Sequence, residues 1–194
     1  MLVSNFFIKR ILNRIRLLNQ YDEDDIDMIR YSLEAILWEI EKTLILLAAF
    51  ALMGYLDYFL ITCLVGIPIR MIAGGYHNQT AIGCLIITFT GFFAAIIMMP
   101  RLPVSIGLIC VMAFFSLMVT LVAAPIYPLE RASLINKEND GKKKVLALVV
   151  TALWLSLIFI YPNHPYAYPA LGIIVLQNVQ LLVEYLKRRW KRND

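Results

Sequence analysis

The sequence predicts an all-α polytopic membrane protein built as a single domain, residues 1–194, with six transmembrane segments. Three observations carry this reading. Hydrophobic residues make up 60% of the chain and charged residues only 16%, against about 25% charged in an ordinary soluble domain. Uncharged apolar runs recur at close to the roughly 17–25 residues that a helix needs to cross a bilayer. The Lys and Arg residues collect in the intervals between those runs, where they act as topology determinants.

The first element expected is an amphipathic helix over residues 2–20. Val3, Phe7, Ile11, Ile15 and Leu18 fall on one side, and Lys9, Asn13 and Arg16 on the other. Arg14 sits near the edge of the apolar face, where its stem can snorkel. Such a helix lies on the inner membrane surface or packs on its own protein. No cleavable signal peptide is expected, because residues 1–20 never sustain an uncharged apolar stretch of the required length. The acidic cluster "YDEDDID" follows and suits the start of the next helix, whose dipole favours negative charge there.

From Tyr31 to Pro68 the chain is apolar but interrupted, and Gly54 to Asp57 is the one reasonable turn. That divides it into spans at 32–53 and 57–70, the second short enough to be tilted or re-entrant. Four clearer spans follow at 82–99, 104–124, 145–161 and 169–186, before the tail "KRRWKRND". With six spans, the basic N-terminal helix, the loop around 70–80, the lysine-rich loop and the tail share one side. Every Lys and Arg except Arg101 is then assigned to that face, as expected of the cytoplasm. A single span over 32–70 would put the N-terminal basic segment opposite the other clusters. The net charge of +4 is therefore a topology signal with no nucleic-acid partner behind it. The KKK loop reads as a topology determinant and lipid-headgroup contact, with attraction of an acidic substrate as a second role.

Within this frame "RMIAGGYHNQTAIGC", Arg70 to Cys84, holds one of two histidines and one of three cysteines. Cys84 stands at the mouth of the third span and His77 in the loop before it. An imidazole beside a thiol takes its proton, stabilises the thiolate, and can later protonate a leaving amine. Geometry sets a condition. On a straight helix, residues seven apart are separated by about 10.5 Å along the axis and cannot share a proton. The helix must therefore begin after His77, and Gly74-Gly75 supplies the backbone freedom to fold the loop back. A cysteine in the first turn of a helix also meets the positive end of the dipole, which favours a thiolate. The plainer reading is that Cys84 fills space and His77 is an interfacial loop residue; from spacing alone both readings stand. One His and one Cys are too few ligands for a metal, and no cofactor motif is present. His164 falls in the opposite loop, across a roughly 30 Å hydrocarbon core. Cys63 and Cys110 sit inside spans, where free cysteines usually pack, and no disulfide framework is implied.

Two ionisable residues sit at the same depth as His77. Glu34 enters the first span in "YSLEAIL", and Arg70 closes the second. Charges inside a span cost several kcal/mol unless paired or hydrated, and so mark function. Glu34 can orient the imidazole or pair with Arg70, and Arg70 can stabilise an oxyanion or bind a substrate carboxylate. A structural ion pair joining two spans is the equal alternative. Glu39 and Glu41 are assigned no role.

The elements "RYSLEAIL" and "PIRMIAGGYHNQTAIGC" closely resemble the AgrB family of bacterial quorum-sensing peptidases. The Tyr-x-Leu-Glu element, the Arg before the loop, Gly-Gly-Tyr-His and the His-x6-Cys spacing all match. Chain size, six-span pattern and the basic loop before the fifth span also fit. Ser32 departs from the glycine of many relatives, with little consequence for mechanism. The resemblance implies a cytoplasm-facing cysteine endopeptidase of the Gram-positive cell membrane, dimeric, acting on an AgrD-type propeptide. Carried over residue by residue, Cys84 is the nucleophile and His77 the general base and acid. Glu34, Arg70, Gly74 and Gly75 are supporting or substrate-binding positions. The expected product is a thiolactone or lactone ring formed through an acyl-enzyme thioester. The rival from another class is a small six-span transporter or export scaffold.

Overall fold

A computed structural model describes residues 8, 10–15, 22–75, 80–103, 105–126 and 139–193. Its regular structure among these residues is helical: α1 (Glu23–Leu52), α2 (Leu56–Ala73), α3 (Ala81–Phe93), α4 (Ile106–Ala123), α5 (Asp140–Ile160) and α6 (Ala167–Asn193). α3 continues through a π-helical turn, Ala94–Met98, into a 3-10 turn, Met99–Arg101. The all-α, polytopic class expected from composition is the class observed. The described residues divide into two units, Met1–Leu52 and Met53–Asp194.

In the first unit, α1 begins in the acidic cluster, as the dipole argument expects, and runs for 30 residues. Residues 10–15 are also helical. Ile8 and Leu12 are buried with Ile26, and Ile15, Ile29, Leu33 and Leu37 pack around them. Of the two settings expected for the N-terminal segment, its described part packs on its own chain. The apolar stripe is centred on Ile8, Leu12 and Ile15, a shift from the Phe7–Ile11–Ile15 line. The remainder of residues 2–20, Lys9 and Arg16 included, lies outside the described residues.

The second unit is a helix bundle. Among the described residues, five helical segments are long and apolar enough to cross a membrane: Leu56–Ala73, Ile82–Arg101, Ile106–Ala123, Asp140–Ile160 and Ala167–Trp190. Six were expected. The stretch assigned to the first span lies within α1 except for Met53, but residues 35–52 carry Glu39, Glu41 and Lys42 and fall short by composition. Lys42, assigned by charge to the basic face, sits inside that helix with Nζ 2.6 Å from the Glu39 carboxylate. The second span is a full 18-residue helix that passes through Pro68, about 27 Å at 1.5 Å per residue. It is longer than the 57–70 segment expected, and long and apolar enough to cross a membrane. α5 starts at Asp140 rather than 145, taking Lys142, Lys143 and Lys144 into its first turns. α6 runs on to Asn193, since the expected free tail "KRRWKRN" is rich in good helix formers and holds no breaker.

The interior of the bundle is organised around α6. It packs against α2, α4, α5 and the π turn, and 56% of its span is buried, against 22–33% for the other four. The contact layer is small and tight: Ala73, Ala95, Ala113, Ala147 and Ala170 are buried. A Cβ on Gly172 would stand 3.0 Å from the Ala95 Cα. Small residues of this kind let membrane helices approach closely where lipid supplies no hydrophobic drive to associate. Larger side chains fill the rest of the interior, among them Phe59, Ile69, Leu171, Ile174 and Leu181, while Leu64, Ile67, Val111, Phe114, Val122 and Ile160 are exposed on the outer surface.

Candidate active site

The candidate site forms where α2 ends. Gly74 caps that helix, donating its N–H to the Arg70 carbonyl at 2.9 Å, and adopts φ 81°. That left-handed value suits glycine. Space makes the same demand, because a Cβ at Gly74 would overlap the Ile126 carbonyl oxygen. Ile126 has come back from the end of α4 to lie alongside, donating its N–H to the Ala73 carbonyl at 2.9 Å and forming a parallel bridge with Gly74. From α6, Gln177 Nε2 donates to the Gly74 carbonyl at 2.7 Å. Gly75 is buried, and a Cβ there would meet Gln177 Nε2 at 3.1 Å and the Arg70 Cζ at 4.0 Å. One turn below Gln177, the Gln180 Oε1 accepts from Arg70 Nη1 at 3.1 Å. The two glycines are therefore held in place here, beside the guanidinium.

The chain leaves this corner through residues 76–79, and His77 lies outside the described residues. It is described again at Thr80, which is extended (φ −110°, ψ 137°) and caps α3. The Thr80 Oγ1 accepts from the Gly83 N–H at 3.3 Å, and its carbonyl accepts from the Cys84 N–H at 3.0 Å. Cys84 is thus the fourth residue of α3, half-buried, with its own carbonyl accepting the Thr88 hydroxyl at 2.8 Å. An unbroken helix from His77 through Cys84, the geometry that would defeat the pairing, does not exist. The break falls at Thr80.

The competitors separate from this corner. His164 lies between α5 and α6, its Nδ1 3.4 Å from the Tyr166 N–H, and Tyr166 in turn donates to Asp57 at 2.9 Å. Asp57 is in the first turn of α2 and Gly74 just past its last, so about 25 Å of helix separates His164 from the corner. Cys63 lies mid-way along α2 and Cys110 is exposed on α4. Glu34, in the first unit, is half-exposed and pairs within α1, its Oε1 3.3 Å from the Arg30 Nε.

Three polar residues of α6 escaped the sequence reading: Gln177, Asn178 and Gln180. Asn178 is buried and accepts from the Thr120 hydroxyl at 2.8 Å, tying α6 to α4. Their signal is in "VLQNVQLLVEYL", where amides interrupt an apolar run. A polar group inside a span is costly unless it has a partner, so each such amide announces one.

Comparison with known proteins adds a further set of findings. Residues 4–182 match the model of the family described as accessory gene regulator B. A curated relative from Clostridium beijerinckii, described as a "Putative AgrB-like protein", is 30% identical over 140 residues, 71% of this chain and 68% of that one. No solved structure matches.

Proposed function

The chain belongs to the accessory gene regulator B family, and from that premise we propose that it is a membrane-embedded cysteine endopeptidase processing an AgrD-type propeptide. Cys84 is the nucleophile and His77 the general base and acid. The observation that carries the reading is the helix break at Thr80. It puts Cys84 in the first turn of α3 and leaves His77 off that helix, as a shared proton requires.

The thiol of Cys84 attacks the scissile carbonyl, and its proton passes to His77. A carbon–sulfur bond forms as the carbon–nitrogen bond breaks, and the same proton goes to the departing amine of the C-terminal fragment. Arg70, oriented by Gln180, supplies a bidentate cation for the oxyanion or for a substrate carboxylate. A Cys or Ser side chain of the held peptide then attacks the acyl-enzyme thioester. That step closes a thiolactone or lactone and restores the Cys84 thiol. Because thioester exchange is nearly balanced, ring closure depends on a held geometry and on exclusion of water, which a site at the end of membrane helices favours. Glu34 has a supporting part in this reading, the loop faces the cytoplasm of a Gram-positive cell, and the working unit is a dimer.

The test is propeptide cleavage by the full chain in vesicles. Cys84→Ala should abolish it, and His77→Ala should lower the rate by about 10²-fold or more, both with normal insertion. Full processing by Cys84→Ala would overturn the peptidase reading and favour a transporter or scaffold. Mass spectrometry of the product separates the two peptidase outcomes, since a ring lacks one water relative to the linear peptide.

A further inference from the structure

Gln177 is an amide placed inside a span, where a polar side chain is costly without a partner. Its partner is a backbone atom, the Gly74 carbonyl, at the last residue before Gly75 and the 76–79 segment. Its neighbour on the same helix face, Gln180, holds the Arg70 guanidinium, and residues three apart on a helix share a face. The two amides therefore grip one corner from the buried side. Ile126 grips it from the other, through the Ala73 carbonyl and its contact with Gly74. Beyond the 76–79 segment the chain is fixed a second time, by the Thr80 cap. α6 is the most buried helix of the bundle, so the side chain that holds Gly74 is mounted on its firmest element.

We propose that Gln177 is a positioning residue for the reaction at Cys84: its side-chain amide, by holding the Gly74 carbonyl, sets where the His77-bearing segment begins. The inference rests on the peptidase reading. Gln177 touches no reacting atom in this role. It acts through His77, and a displacement of about 1 Å at a catalytic group is enough to cost on the order of 10²-fold in rate.

The experiment compares wild type, Gln177→Met, His77→Ala and the double variant, each as full chain in vesicles. One readout is the rate at which iodoacetamide alkylates Cys84, followed by mass spectrometry of the peptide that carries it. The other is kcat and KM for the AgrD-type propeptide encoded in the same genome. Gln177→Met should lower kcat by about ten- to a hundredfold with KM within about twofold of wild type. It should slow alkylation, and in the His77→Ala background it should slow it no further, since residues acting through one another are non-additive. Gln177→Leu also removes the donor, and it carries the same expectations if the methionine variant does not fold. Wild-type alkylation and kcat in a folded variant would overturn the inference, as would effects that simply multiply with those of His77→Ala. Cleavage that survives Cys84→Ala would instead sink the peptidase reading. Cleavage that needs Cys84 and His77 but ignores Gln177 would sink this inference alone.

Discussion

The carbonyl oxygen of Ile126 occupies the place where a side chain on Gly74 would begin, so these two residues can lie together only while position 74 is glycine. The contact joins the end of α2 to the chain leaving α4 and fixes the corner from which the candidate loop departs.

Gly74→Ala should therefore be among the most damaging single-methyl additions in the bundle. It meets both the positive φ and the Ile126 backbone, and a cost above about 2 kcal/mol is expected. Gly75→Ala should cost less, because its nearest neighbour is the flexible end of Gln177. Chemical unfolding of the two variants in detergent gives the ranking, and equal stability would contradict it.

Thr80→Ala removes the side-chain cap on the Gly83 N–H. Loss of such a cap costs about 1 kcal/mol, felt in the turn that carries Cys84. Propeptide cleavage should slow several-fold, with Thr80→Ser close to wild type. An alanine variant of undiminished rate would show that the start of α3 does not govern the reaction.

Asn178 and Thr120 form a buried hydrogen bond between α6 and α4. Thr120→Val leaves the Asn178 oxygen without this donor and should destabilise by about 1–2 kcal/mol. A double-mutant cycle with Asn178→Leu should return a coupling of about 0.6–1.7 kcal/mol, the range for hydrogen bonds between membrane helices. Additive losses would mean that the bond contributes nothing.

Tyr166, in the loop before α6, has its phenol held above the ordinary value of 10.0, first by the hydrogen bond to Asp57 and then by desolvation and the nearby carboxylate charge. A folded value above the unfolded one places the stabilisation below pH 10, and it is lost as the pH rises through the folded value. An ultraviolet difference titration against Tyr166→Phe should show ionisation later than that of a free phenol. Asp57→Asn should bring it back toward 10. Ionisation at the free-phenol value in the parent would dispose of the Asp57 interaction.

Much of this molecule was legible in its sequence. Bilayer thickness and the cost of unsatisfied backbone polar groups leave uninterrupted apolar runs few alternatives to helix, so five spans appear close to where hydropathy puts them. The boundaries that moved did so where charge is a poor guide to helix ends: Lys142 to Lys144 and "KRRWKRN" are polar yet helical. The need for a break between His77 and Cys84 also followed from helix pitch alone. What pins the corner was out of reach, because Gln177, Gln180 and Ile126 lie far along the chain from Gly74. Periodicity reports which face of a helix is apolar, but not which distant backbone carbonyl an amide on that helix will meet. The motif "GGYHNQTAIGC" and the helices around it were written locally. Only the packing of α6 against α2, and the return of the chain after α4, decided that Gly74 is a fixed point, since those contacts are made between segments that the sequence does not place side by side.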